Sequence, residues 1–396
     1  MPPTMTPRER VLAALNHQTP DVTPFDLGGI KTTSLNIHAY ENLRKYLGMD
    51  TPGEIAHFRS QRTHMAETMS RFFDSDVRRV HTPYPQPLPP EISASKQVDE
   101  WGSEWTQAPN GLFFVSQPGL ARAETISDLK TYHWPEPNRL LPAAALAEAA
   151  HKLRAETDCA ICLDLPDTVV HITQNTRGYE QWLVDSALDV PFFEMMLDYA
   201  AEIYVAMAEP LLRAVGDSID VVLICDDIAA QNGPLISPEA YRRLIKPRQT
   251  KVLRAIKDNS PARLIYHSCG SVYWALPDII DMGADALNPV QVSANHMDTG
   301  KLKREFGQHL TFWGGIDTHQ VLPFGTPEDV RREVRQRIED MSAGGGYVVG
   351  SVHIIQQEVP PQNILAMAEA AHLFGGRSDG SRYRAQIEQQ VGRIRV

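Results

Sequence analysis

An α/β chain closed as a (β/α)8 TIM barrel, with an insertion after the second strand, is the fold class that this sequence predicts. Three observations carry the expectation. Eight short apolar or β-branched runs alternate with longer stretches of helical spacing, which is the pattern of βα units around a parallel sheet. No G-x-G-x-x-G follows any of these runs, and Gly344-Gly345-Gly346 precedes one instead, which speaks against a doubly wound dinucleotide fold. The 396 residues, 42% hydrophobic and 22% charged, supply enough apolar surface for one large barrel with insertions.

The runs are residues 23–28, 76–81, 159–164, 219–226, 263–267, 284–288, 310–315 and 347–353. Helical stretches over 191–215, 238–258 and 326–341 each open on a Pro, Ser or Thr suited to a helix start. Residues 82–140 break the rhythm with PYPQPLPPE, Trp101, Trp105 and WPEPN. Proline blocks helix interiors and central strands, so an inserted β-hairpin excursion is expected there. Residues 1–375 then form a single barrel domain, and the polar residues 376–396 form a terminal tail.

Composition narrows the function. Lys and Arg number 38 against 49 Asp and Glu, a net charge of −11, and such a chain lacks the basic footprint of a nucleic-acid binder. No stretch reaches the 18 or so apolar residues that a membrane span needs, and the N-terminus places Arg8, Glu9 and Arg10 before a short amphipathic run rather than a signal core. A cytoplasmic protein is expected. Four cysteines in a chain of this length make no disulfide framework. Cys159 and Cys162 stand three apart on one run and so point to opposite faces, a structural pair, while Cys225 ends an apolar stretch and reads as core.

Barrel active sites are built where the strands end, and here those ends are polar. Asp26, Asp76, Asp164, Asp226-Asp227, Asn288, Gln291 and Asp317 fall in or beside the runs, and Gln231 begins a loop after the fourth. Asp26, Asp76, Asp164, Asp227, Gln231, Asn288 and Gln291 are the candidate substrate-binding groups, with Asp226, Asp317 and His353 as candidate catalytic ones. The sharpest local feature is His267-Ser268-Cys269-Gly270. Alternate strand residues share a side, which sets His267 and Cys269 together, and an imidazole beside a thiolate suits zinc. A third ligand must come from elsewhere. His353, at the end of the eighth run, is the candidate, with Asp226 or Asp317 as carboxylate alternatives.

These residues resemble the uroporphyrinogen decarboxylase-like superfamily, including its zinc-dependent methyltransferases that act on methylcorrinoid proteins. The matching segments are TPRERVLAALN (6–16), the strand region 19–28, DDIAAQNGPLISPEAYRRLIKPR (226–248), YHSCGSVYWALPDIIDMGADALNPVQ (266–291), TFWGGIDTHQVLPFG (311–325) and GGYVVGSVHIIQQEVPPQNILAMAEA (345–370). The resemblance implies a (β/α)8 barrel. It also implies zinc on His267, Cys269 and a later ligand, and a methylcorrinoid delivered by a partner protein, since no D-x-H-x-x-G cobalamin motif occurs in this chain. A homodimer is a further expectation.

Two departures from the family mark the sequence. The late cysteine of the methyltransferases is absent from 350–361, where His353 stands instead, like the histidine that tetrapyrrole decarboxylases carry after their last strand. The Arg-rich segment with which those decarboxylases hold substrate carboxylates reads Asp26-Leu27-Gly28-Gly29-Ile30-Lys31 here. A mouth lined with Asp26, Asp76, Asp164, Asp226 and Asp317 is expected to repel a polycarboxylate. The expected function is therefore zinc-dependent methyl transfer between a small substrate and a corrinoid protein or thiol. Tetrapyrrole decarboxylation ranks second, and a non-catalytic barrel binding protein third.

Overall fold

The computed structural model describes residues 4–82 and 94–377; the proline run within 83–93 and nearly all of the predicted tail lie outside the described residues. In chain order the strands are β1 (Glu54–His57), β2 (Arg62–His64), β3 (Val77–Arg79), β4 (Lys96–Val98), β5 (Glu104–Gln107), β6 (Phe113–Gln117), β7 (Ala160–Asp167) and β8 (Val221–Cys225). There follow β9 (Ala229–Ala230), β10 (Gly233–Pro234), β11 (Arg263–His267), β12 (Ala286–Asn288), β13 (Thr311–Trp313) and β14 (Tyr347–Val348). Seven of them form one parallel sheet in the order β14-β13-β12-β11-β8-β7-β3.

The first predicted run closes that sheet into a barrel with a single bridge rather than a full strand. Phe25 pairs in parallel with Val349. The Asp26 amide donates to the Val349 carbonyl at 2.8 Å, and the Asp76 amide donates to the Phe25 carbonyl at 2.8 Å. Both edges are thereby joined, which is how a barrel removes the exposed strand edges of an open sheet.

Strand alternation divides the core in two. Val77, Ala160, Cys162, Val221, Leu223, Cys225, Ile265, Ala286, Trp313 and Val348 fill the barrel interior, whereas their neighbours Ile161, Leu163, Val222, Ile224, Leu264 and Leu287 pack outward against the helices. The helix Pro7–Leu15 adds Val11, Ala14 and Leu15 to the interior cluster and so plugs one end. It starts with a capping box in which Thr6 and Glu9 bond each other's backbone amides. The plug lies where the strands begin, and the mouth opens where they end.

The helix Val190–Val215 begins with Pro191 and stops at Gly216, whose φ of 54° suits a residue without a Cβ. Pro327–Met341 begins behind the Thr326 cap. The predicted stretch 238–258 contains a wide turn at Tyr241–Ile245 between Pro238–Ala240 and Lys246–Asn259. The insertion is a three-stranded antiparallel sheet, β4-β5-β6, one strand more than the hairpin expected. Among the described residues no helix is long and apolar enough to cross a membrane.

Candidate metal and substrate site

Residues two apart on a strand face the same way, so the inward set continues upward to Arg79 above Val77, Asp164 above Cys162, Asp227 above Cys225, His267 above Ile265 and Asn288 above Ala286. These side chains furnish the floor of the mouth. His267 is the central one. Its Nδ1 lies 2.6 Å from the Asn288 Oδ1, and the Asn288 Nδ2 donates to the Trp313 carbonyl at 3.0 Å. Asn288 therefore presents its oxygen to the ring, Nδ1 carries the proton, and the lone pair of Nε2 points into the mouth. Thr32 donates a second hydrogen bond to the same oxygen at 2.8 Å.

That free Nε2 stands 3.5 Å from the Cys269 sulfur. The His353 ring packs beside the His267 ring with centroids 5.6 Å apart. One ligand atom each from His267, Cys269 and His353 lies within 4.8 Å of the others. Bonds of about 2.0–2.3 Å to a tetrahedral zinc would draw the three together by well under about an ångström each. The donor set fits the metal: two imidazoles and a sulfur, with the first imidazole oriented from behind by an amide. Burial, reinforced by the negative charge of Asp227, holds the Cys269 thiol well above its ordinary range, and burial together with His267 pushes His353 down to about 4. A neutral imidazole is the ligand form, and a bound cation is what would lower such a thiol.

The two adjacent aspartates part company. Asp227 faces the mouth, accepts the Cys269 amide at 2.7 Å and stands 3.9 Å from the His267 Nε2 and 3.4 Å from the His171 Nε2. Burial opposes charge on both members of this second pair, yet their mutual attraction wins, raising His171 to about 10 and pulling Asp227 below the usual carboxylate range. Asp226 turns the other way. It accepts the amides of Val170 at 2.8 Å and His171 at 3.1 Å, and the Gln249 side chain at 2.7 Å, so it caps the helix Val169–Arg177 rather than lining the mouth.

Several other predicted residues also face elsewhere. Asp317, expected as an acid or ligand, accepts the amides of His319 at 2.9 Å and Gln320 at 3.1 Å and caps a turn. Asp76 begins its strand instead of ending it, and lies at the plugged end between Arg10 (2.6 Å) and Arg377. Asp26 is completely buried and bonded to Gly29, Thr33 and Trp313, each at 2.8 Å, with burial pushing it up to about 6. Gln291 accepts the Gly270 amide at 2.7 Å and donates to Gln231 at 2.9 Å, so both buttress the turn after Cys269. A Cβ on Gly270 would stand 2.7 Å from the Ala229 and Ala230 carbonyls, and its φ is +88°, which is why glycine is required there.

The acidic mouth expected from the sequence therefore does not form, because Asp26, Asp226 and Asp317 are spent on backbone amides and neighbouring side chains, and Asp76 on Arg10 and Arg377 at the plugged end. Asp164 remains, beside Lys31, the one cation of the segment 26–31, whose Nζ bonds Asp167 at 3.0 Å and whose amide bonds Asp164 at 3.1 Å, and beside Arg79, which the sequence reading missed, 3.6 Å from Asp164. Arg79 was legible from parity with Val77. His171 had no signal beyond its place after the third run.

A parallel barrel with one buried imidazole, thiol and amide constellation at its mouth is an α/β scaffold of the enzyme type. The family model for uroporphyrinogen decarboxylase (URO-D) matches residues 121–374, and the chain belongs to that family. Uroporphyrinogen decarboxylase of Neisseria meningitidis serogroup C (strain 053442) is 27% identical over 143 residues, 35% of this chain and 38% of that protein. The Methylococcus capsulatus enzyme of the same name is 26% identical over 171 residues, 43% of this chain and 46% of its own length. The aligned regions thus span less than half of these relatives. Among solved structures, a methyltransferase from Methanosarcina mazei superposes with a TM-score of 0.65 at 20% identity, covering 93% of this chain and 99% of that one. That likeness is one of fold.

Proposed function

We propose that this member of the URO-D family is a zinc-dependent methyltransferase that moves a methyl group between a small substrate and an acceptor, either a corrinoid carried on a partner protein or a thiol. The observation that carries the reading is the convergence of His267, Cys269 and His353 within 4.8 Å, backed by the Asn288 bond that leaves the His267 Nε2 free. Zinc held there supplies Lewis acidity toward a substrate oxygen, nitrogen or sulfur. The protein supplies the rest. Asn288 orients His267, Asp227 anchors the backbone of Cys269, and His171 faces that same carboxylate with Nε2 and the Cys225 carbonyl with Nδ1. The similarity of the Methanosarcina mazei methyltransferase in fold supports the reading without deciding the chemistry.

Tetrapyrrole decarboxylation is the second reading, favoured by the curated relatives and by the cationic side of the mouth at Arg79 and Lys31. Metal analysis separates the two. Stoichiometric zinc in the wild-type chain, lost in His267→Ala and Cys269→Ala, together with methyl transfer to cob(I)alamin, supports the methyltransferase. A metal-free protein that decarboxylates uroporphyrinogen refutes it in favour of the second reading.

A further inference from the structure

The rim beside the metal candidates carries two guanidinium groups with unmet hydrogen-bonding capacity. Arg79 ends β3 with a side chain only 4% exposed. One terminal nitrogen donates to the Thr63 carbonyl at 3.2 Å. Its Nε forms an ion pair with Asp164 at 3.6 Å, beyond hydrogen-bond range, so the facing carboxylate oxygen and the Arg79 Nη1 both lack a hydrogen-bond partner among the described residues. Arg62 is the neighbour of Thr63 on β2, and its buried Nε is likewise unpartnered. Lys31, by contrast, is satisfied by Asp167 and the Leu165 carbonyl, both at 3.0 Å. Arg79 remains charged, since burial lowers it only to about 10.

Buried charged donors without acceptors are costly and rarely left so unless something binds them. Two such forks at one rim match a planar anion with two oxygens, because a guanidinium offers paired N–H groups in a fixed plane. The hairpin β1-β2 is tied over the barrel opening: Asn36 bridges Arg62, and Leu35 bridges Ile355 just beyond His353. The Arg79 bond to the Thr63 carbonyl, one residue on from Arg62, holds the two arginines at the same part of the rim.

We propose that Arg62 and Arg79 bind a carboxylate of the substrate, whose methyl-bearing heteroatom reaches toward His267, Cys269 and His353. The second half of that statement rests on the methyltransferase reading; the anion site rests on the arginines alone. Going round the barrel from β14 through the Phe25 segment to β3 takes two inter-strand steps of about 4.8 Å. Carboxylate and heteroatom then belong to one small substrate, a substituted ring or a short chain. The substrate class is a methoxylated or N-methylated carboxylic acid, not a neutral alcohol, amine or ether.

The test is calorimetric titration of the full chain with acetate, benzoate and 4-methoxybenzoate, alongside 4-methoxybenzamide, inorganic phosphate and zinc analysis of the same samples. At least one carboxylate binds, and 4-methoxybenzoate binds tighter than its amide by about tenfold or more, the factor that one charge-assisted hydrogen bond supplies. Arg62→Gln and Arg79→Gln each abolish that preference; Arg62, being partly exposed, keeps the test valid should the buried Arg79 variant fail to fold. No carboxylate binding, equal binding of acid and amide, an unchanged preference in folded Arg62→Gln, or tighter binding of phosphate overturns the carboxylate site. Carboxylate preference without zinc leaves the arginine site standing and removes the methyltransferase reading, whereas zinc without that preference does the reverse.

Discussion

Replacing Asn288 with Ala tests the metal site without touching a ligand. In the native chain its side chain closes three hydrogen bonds: its oxygen accepts from the His267 Nδ1 at 2.6 Å and from Thr32 at 2.8 Å, and its nitrogen donates to the Trp313 carbonyl at 3.0 Å. Asn288 is 0% exposed, so water does not readily replace it. Each buried group left unpaired costs roughly 1–3 kcal/mol, and the cavity adds to that, giving a total loss of about 3–5 kcal/mol. The consequence for zinc is separate, because His267 loses the acceptor that holds its proton on Nδ1 and its ring in place. Loss of such a supporting bond typically weakens metal binding by about 10–100-fold. Urea denaturation of the apo chain reads the first quantity, and competition against a chelator of known affinity reads the second. Thr32→Ala, which removes one of the three bonds, is expected to cost about 1 kcal/mol and to leave zinc affinity within a few-fold. A folded Asn288→Ala chain that binds zinc as tightly as the wild type would refute the assigned role of the amide.

Two further outcomes follow from the same geometry. Asp227→Asn removes the charge that holds His171 protonated, so the His171 titration, followed by NMR, falls from about 10 toward its ordinary value near 6.5; a midpoint that stays near 10 contradicts the pairing. Because the folded pKa of His171 lies above the unfolded one, its stabilisation is complete below about pH 6.5 and disappears as pH rises through about 10, which the same variant should flatten in a plot of stability against pH. Asp76→Asn leaves Arg10 and Arg377 short of a buried counter-charge and is expected to cost about 3–5 kcal/mol in denaturant titration, with zinc content unchanged. A loss of zinc there would place Asp76 at the mouth after all.

The barrel was legible because short continuous apolar runs record which strands are buried on both faces, and that signal survives even where the first run pairs through one bridge at Phe25. His267 and Cys269 were legible from their spacing. The errors at the mouth came from polar residues whose partners are far away in sequence. Asp76 meets Arg10 and Arg377 only in three dimensions, and Asp226 and Asp317 were assigned by position although short polar side chains at strand ends cap helices and turns as readily as they line pockets. Parity would have corrected one of these, because Cys225 faces inward and Asp227, two residues on, shares its side. Nothing local in the sequence announces that Arg62, on a rim hairpin, comes to lie beside Arg79.

The central claim is that two imidazoles and one sulfur of this chain form a zinc shell at the barrel mouth. X-ray absorption at the zinc edge of the purified protein measures that shell directly. One sulfur near about 2.3 Å and two imidazole nitrogens near about 2.0–2.1 Å are predicted, with the sulfur lost in Cys269→Ser and one imidazole lost in His353→Ala. A shell without sulfur, or one unchanged by either substitution, contradicts the account.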